Sequence, residues 1–218
     1  MTKLFLAGAT GLVGSRALAL ALADSRVTQI VAPTRRPLAP HAKLLNPLMD
    51  STNLPLDAGW WEADGAICAL GTTRAKAGSS AAFRAIDHDY VLAIAQAGRA
   101  GGATRFALTS SMGADARSRF LYTRTKGEVE EAIRHLGFPS LTILRPGFLG
   151  GEREEHRPME RVMGQLLRIA SPILPASARI SPAETVATLL VEAAIGGDSG
   201  THLINSADIA RIAAKGRF

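Results

Sequence analysis

Apolar residues along the chain switch between two periods. Short, mainly apolar runs at 3–7, 27–32, 66–70, 105–109 and 141–144 have the length of strands in a buried parallel sheet. Between them the apolar positions recur at helical spacing: 12–23, then 80–97 with Phe83, Ile86, Tyr90, Val91 and Ile94 on one stripe, then Leu121 to His135. Gly98, Gly101 and Gly102 close the second of these helices, and Pro146-Gly147 closes the strand at 141–144. Residues 34–63 are rich in proline and show no clear period, with a short strand near Leu44-Leu45-Asn46. Beyond 150 the pattern reads as a charged loop at 151–158, helices near 159–170 and 182–195, a short strand at His202-Leu203-Ile204 and a final helix. Strand and helix alternate through two-thirds of the chain, so the expected class is α/β with a doubly wound parallel sheet. A single domain over 1–218 is expected, with substrate-side elements mainly within 148–200.

The first strand runs straight into Gly8-Ala9-Thr10-Gly11-Leu12-Val13-Gly14 and then into a helix. Glycine at such a turn permits positive φ and lets backbone amides approach phosphate oxygens at the positive helix end; a further glycine allows helix and strand to pack closely. The spacing is GxxGxxG rather than GxGxxG, and its place one strand from the N-terminus makes it a dinucleotide pyrophosphate site. After the second strand, Thr34-Arg35-Arg36 stands where an acid would hold the ribose hydroxyls of NAD. Arginines there suit a 2′-phosphate, so NADP (NADPH) is the expected cofactor and NAD the less favoured one. Leu70-Gly71-Thr72-Thr73-Arg74 offers a small-residue turn for backbone contact with the cofactor's ribose and nicotinamide side.

After the strand at 105–109 come Ser110-Ser111, and the next helix carries Tyr122 and Lys126 four residues apart, on one face. A free tyrosine has a pKa near 10 and is a poor base at neutral pH, whereas an ammonium about 4 Å away favours its phenolate by up to roughly 4 kcal/mol at an effective dielectric of about 20. Serine to hold a substrate oxygen, tyrosine to exchange a proton and lysine to support it form a set able to do redox chemistry.

The net charge of +6 is spread as arginines interleaved with acids, without a basic stripe or stacking aromatics, so a nucleic-acid partner is not expected. No apolar run reaches the roughly 20 residues that span a bilayer, and Ala17 to Ala23 is bounded by Arg16 and Asp24, so no membrane role is expected. Cys68 is the only cysteine and lies in an apolar run, which reads as a buried inert thiol in a cytoplasmic protein. No histidine pair stands at metal-ligand spacing, so no metal is expected.

These motifs in order, with Cys68 to Arg74, Asp89-Tyr90-Val91, Ser110 to Asp115, Phe120-Leu121-Tyr122, Lys126 to Glu130 and Arg145-Pro146-Gly147, resemble the Rossmann-like short-chain dehydrogenase/reductase superfamily, more narrowly its Tat-interacting-protein-like oxidoreductases. The resemblance covers most of 3–160. It implies Ser111 as the substrate-polarising serine with Ser110 as fallback, Tyr122 as proton donor or acceptor, and Lys126 as its partner and a ligand of the nicotinamide ribose. It places Pro146 and Gly147 beside the nicotinamide, and Gly8, Gly11, Leu12, Val13, Arg35 and Arg36 on the rest of NADP. The superfamily's helix asparagine falls at Asp87, and Tyr122 stands only eleven positions after Ser111. Some 70 residues follow Pro146, which implies a small C-terminal substrate region and a small-molecule substrate rather than a large nucleotide sugar. Pairing through helices as a homodimer is a further implication. The function expected is NADP-dependent interconversion of a small carbonyl and alcohol; the alternative is a sensor or regulator that binds the dinucleotide without turnover.

Overall fold

The computed structural model describes residues 1–49, 54–55, 58–150 and 180–216. Seven strands form one sheet in the order β3-β2-β1-β4-β5-β6-β9, with β1 at Thr2–Ala7, β2 at Val27–Val31, β3 at Leu44–Leu45, β4 at Gly65–Cys68, β5 at Arg105–Thr109, β6 at Ser140–Arg145 and β9 at Gly200–Asn205. Every pairing in it is parallel. The two-residue strands β7 (Leu149–Gly150) and β8 (Ser181–Pro182) pair separately beside the end of β6.

Alternate strand residues feed two cores, which is why the strands read as mainly apolar runs without strict alternation. Leu4, Leu6, Ile30, Ile67, Ala107 and Leu144 pack against α1 (Leu12–Ala23) and α6 (Ala183–Gly196). Phe5, Ala66, Cys68, Phe106, Leu108 and Ile143 face α4 (Val91–Ala100) and α5 (Leu121–Arg134) on the other side. The sheet is therefore doubly wound, as expected. The proline-rich stretch also contributes here: Trp61 is buried, stacks on Phe5 at 4.6 Å between centroids and donates its indole N–H to Pro55 O.

Two differences from the periodicity bear on the site. The helix expected over 80–97 is three pieces: α3 (Ser80–Arg84), a π-helical stretch (Ala85–Tyr90) and α4, after the short α2 (Arg74–Ala77). Side-chain spacing alone cannot distinguish one widened turn from a regular helix. The last strand extends beyond 202–204 to Gly200–Asn205 and is followed by α7 (Ser206–Lys215), begun by a capping box between Asn205 and Asp208. The charged loop at 151–158 and the helix near 159–170 lie outside the described residues.

Candidate active site at the sheet's switch point

Strand order reverses between β1 and β4, and ligands of such sheets lie beyond the carboxyl ends of the strands at that point. Gly8 follows β1 with φ +86°, and a Cβ there would stand 2.8 Å from Ala69 C and O, so the turns after β1 and β4 meet without room for a side chain. A Cβ on Gly14 would come 2.0 Å from Gly8 O, so the third glycine is what allows α1 to start against the turn. Gly11 is the N-cap of α1; its side-chain-free position and the absence of an acid in the first turn leave the helix's opening amides free of side-chain acceptors. Thr10 and Gly11 are exposed, Leu12 is half-buried and Val13 is buried in the core.

Beyond β2, Arg35 and Arg36 are exposed, and Thr34 donates its hydroxyl to Arg36 O at 2.6 Å. Asn46, a residue without a role in the sequence reading, stitches this loop together: its amide donates to Ala32 O and Thr34 Oγ1, and its oxygen accepts from Leu38 N. Guanidinium groups so exposed are well solvated and need no bound phosphate for stability.

The chemistry-bearing side chains gather where β4, β5, the π-helical stretch and α5 meet. Lys126 is 4% exposed, and its ammonium lies 2.7 Å from Asp87 Oδ1. Asp87 is fully buried, and its second oxygen accepts from Thr72 N at 2.9 Å. Gly71 closes over the pair: a Cβ on it would lie 3.6 Å from Asp87 Oδ1 and 3.8 Å from Lys126 Nζ. Tyr122, one turn before Lys126, is 41% exposed, and its ring packs at 5.7 Å on the buried Phe83. Cys68, at the end of β4, is fully buried, and desolvation pushes its thiol up to about 11, which makes it inert at neutral pH.

The two serines point to different partners. Ser110 is buried and donates to Glu130 Oε1 at 2.5 Å, whereas Ser111 is half-buried and makes only a 3.2 Å contact with the next residue's carbonyl, Met112 O. Glu130, fully buried on α5, also receives both Arg145 Nε at 2.9 Å and Arg145 Nη2 at 2.6 Å, and Arg134 Nη2 at 3.2 Å. Those hydrogen bonds hold the Arg145 guanidinium above its ordinary value. One carboxylate thus ties the serine turn after β5, the Tyr122–Lys126 helix and the end of β6 together. Its signal in the sequence was an acid at i+8 from Tyr122 and i+4 from Lys126, on the face that packs inward. Gly127 lets the loop after Ser111 lie directly on α5, since a Cβ there would stand 2.1 Å from Ala116 N. Beyond β6, Pro146 O accepts from Met112 N, and Gly147 N donates to the buried Ser181 Oγ.

Among the described residues no group of three His, Cys, Asp or Glu is placed to hold a metal, and no helix is long and apolar enough to cross a membrane. His88 pairs with Asp89 at 2.7 Å.

No family model matches the chain. It is 42% identical over 176 residues to the protein fmp52, mitochondrial, of Emericella nidulans, covering 74% of this chain and 73% of that protein. It is 38% identical over 163 residues to Protein HTATIP2 of Rattus norvegicus, covering 72% and 67%. Among solved structures it is similar to MoeE5 in complex with UDP-glucose and NAD, with a TM-score of 0.70 at 16% identity, covering 98% of this chain and 81% of that one. It also resembles the Bordetella bronchiseptica enzyme WbmH in complex with NAD+, with a TM-score of 0.69 at 16% identity, covering 94% and 76%. Two expectations are corrected by these findings. The dinucleotide solved with MoeE5 and WbmH is NAD, which overturns the expectation of NADP; Arg35 and Arg36 are exposed, and their place after β2 does not by itself aim them at a phosphate. The fmp52 relatives are mitochondrial, which overturns the cytoplasmic location; one buried thiol does not distinguish among compartments where disulfides are scarce. By its sheet, its glycine turn and its relatives, the chain belongs to the family of fmp52 and HTATIP2, and it has the Rossmann-like fold of the NAD-bound enzymes MoeE5 and WbmH.

Proposed function

We propose that the chain is a NAD-dependent oxidoreductase that interconverts a carbonyl and an alcohol on a small substrate. The observation that carries this reading is the juxtaposition of Tyr122 and the buried Lys126 on one face of α5, beside the Gly71 turn at the sheet's switch point. The residues fit a dinucleotide: Gly8 and Gly14 let the turns after β1 and β4 and the start of α1 close on one another as no side chain would allow, and the opening amides of α1 face no acid. Gly8, Thr10, Gly11, Leu12, Val13 and Gly14 would hold the pyrophosphate. Leu70, Gly71, Thr72 and Lys126 would hold the nicotinamide ribose, and Pro146 and Gly147 would border the ring. When bound, the nicotinamide supplies the hydride donor or acceptor.

Ser111 donates a hydrogen bond to the substrate oxygen, with its hydroxyl free of the Glu130 network that occupies Ser110. Tyr122 exchanges the proton at that oxygen through its phenol, held by Phe83 beneath the ring. Lys126 lies one helical turn away, held by Asp87, where it would support the phenol and the nicotinamide ribose. We read the chain as one nucleotide-binding domain with its substrate side mainly within 148–200. The test is turnover of small aldehydes and ketones followed by NADH absorbance, with Tyr122→Phe expected to lose about 10²–10⁴-fold in rate. Undiminished turnover by that variant would remove the acid–base role and leave a dinucleotide-binding protein.

A further inference from the structure

We infer that Asp87 is a positioning residue that locks Lys126 and the turn after β4 into one unit, and that this unit sets the affinity for the nicotinamide half of the dinucleotide. The inference rests on the function proposed above and concerns a residue where the superfamily's helix asparagine would stand.

Three independent observations meet at this side chain. Its carboxylate bridges two elements, with Oδ1 at 2.7 Å from Lys126 Nζ on α5 and Oδ2 accepting from Thr72 N at 2.9 Å. It lies in the π-helical stretch Ala85–Tyr90, between two α-helical pieces that flank it in the same run of chain. Widened turns of this kind are rare and recur at functional sites, because the extra residue per turn re-aims side chains on one face. The exposed Gly71 lies directly over the pair, at a separation that leaves only ordinary contact distance for a methyl group.

Stability does not account for the arrangement. Asp87 and Lys126 are both withdrawn from water, and an apolar pair of similar volume would hold the same helices together as well or better. What the ion pair supplies instead is direction. Lysine has four side-chain torsions, and a buried carboxylate at 2.7 Å selects the rotamer that brings its ammonium beneath Gly71. The same carboxylate fixes the Thr72 amide, so the turn and the ammonium cannot shift independently. In this chain the carboxylate of Asp87 reaches the lysine directly, without an intervening group.

The test is calorimetric titration of the whole chain with NADH and, separately, with ADP, which lacks the nicotinamide riboside. Asp87→Asn should weaken NADH at least tenfold and leave ADP within about twofold. Lys126→Met should produce the same selective loss, and Asp87→Asn with Lys126→Met should be no worse than either alone, because the two act as one unit. Loss of NADH and ADP affinity together, or NADH binding by Asp87→Asn equal to wild type, would overturn the inference. Failure of the wild-type chain to bind NADH would instead strike the underlying reading. Should Asp87→Asn not fold, Asp87→Glu, which keeps the charge but displaces the carboxylate by one methylene, takes its place with the same selective loss expected. Independently of any variant, the Thr72 amide of the wild-type chain should exchange with solvent far more slowly than those of Gly71 and Thr73; equal rates would refute the bridge.

Discussion

Replacing Glu130 by alanine removes the acceptor on which three elements converge. In the wild-type chain its carboxylate accepts from Arg145 Nε at 2.9 Å and Nη2 at 2.6 Å, Ser110 Oγ at 2.5 Å and Arg134 at 3.2 Å, with no exposure of its own. The variant leaves the Arg145 guanidinium, whose side chain is 24% exposed, without its main partner and leaves the buried Ser110 hydroxyl without an acceptor. Breaking a fully buried pair in this way costs about 3–5 kcal/mol; the partial exposure of Arg145 lets water recover some of it, so about 2–4 kcal/mol is expected. At about 2–4 °C per kcal/mol for a chain of this size, the melting temperature should fall by about 4–16 °C. Urea unfolding followed by circular dichroism measures the free energy directly. The double variant Glu130→Leu with Arg145→Met should recover most of the loss, because it leaves no charge unpaired. A melting temperature within 2 °C of wild type for Glu130→Ala would refute the reasoning that this carboxylate ties the site together.

Gly14→Ala forces a Cβ to 2.0 Å from Gly8 O; it should cost about 1–3 kcal/mol in stability and weaken NADH at least tenfold, while Gly59→Ala, whose Cβ would meet nothing within 4 Å, should change neither. The Cys68 thiol rises from 9.0 to about 11 on folding, so the folded state holds its proton longer than the unfolded state; stability is fully present below pH 9 and falls as the pH rises from 9 to 11. The fall should be about 2–3 kcal/mol by pH 11. Alkaline urea titrations of wild type against Cys68→Ala measure it, and identical pH profiles would contradict burial of the thiol. In the native chain Cys68 should also resist iodoacetamide at pH 8, reacting only once urea unfolds it.

The alternation of periods was enough to read the doubly wound sheet, because strands buried on both faces and amphipathic helices leave distinct apolar patterns. The glycine turn was legible for the same reason: positions that reject a Cβ admit little but glycine, and Gly8 and Gly14 do reject one. Asp87 and Glu130 were harder to see. A buried acid looks in sequence like a solvated one, and only the fold shows that Lys126 and Arg145 are brought to them from elements 39 and 15 residues away. The π-helical turn that aims Asp87 inward leaves no mark on side-chain spacing. Arg35 and Arg36 illustrate the converse, since an arginine pair after β2 pointed to NADP while the charge alone decided nothing about the cofactor.

Titration of the purified chain with NADH, followed by its fluorescence, tests the central claim most directly. Saturable NADH binding that survives replacement of both Arg35 and Arg36 by alanine within about threefold, and is lost on Gly14→Ala, is the result the account predicts. Saturable binding of NADPH with none of NADH, or binding of neither, would contradict it.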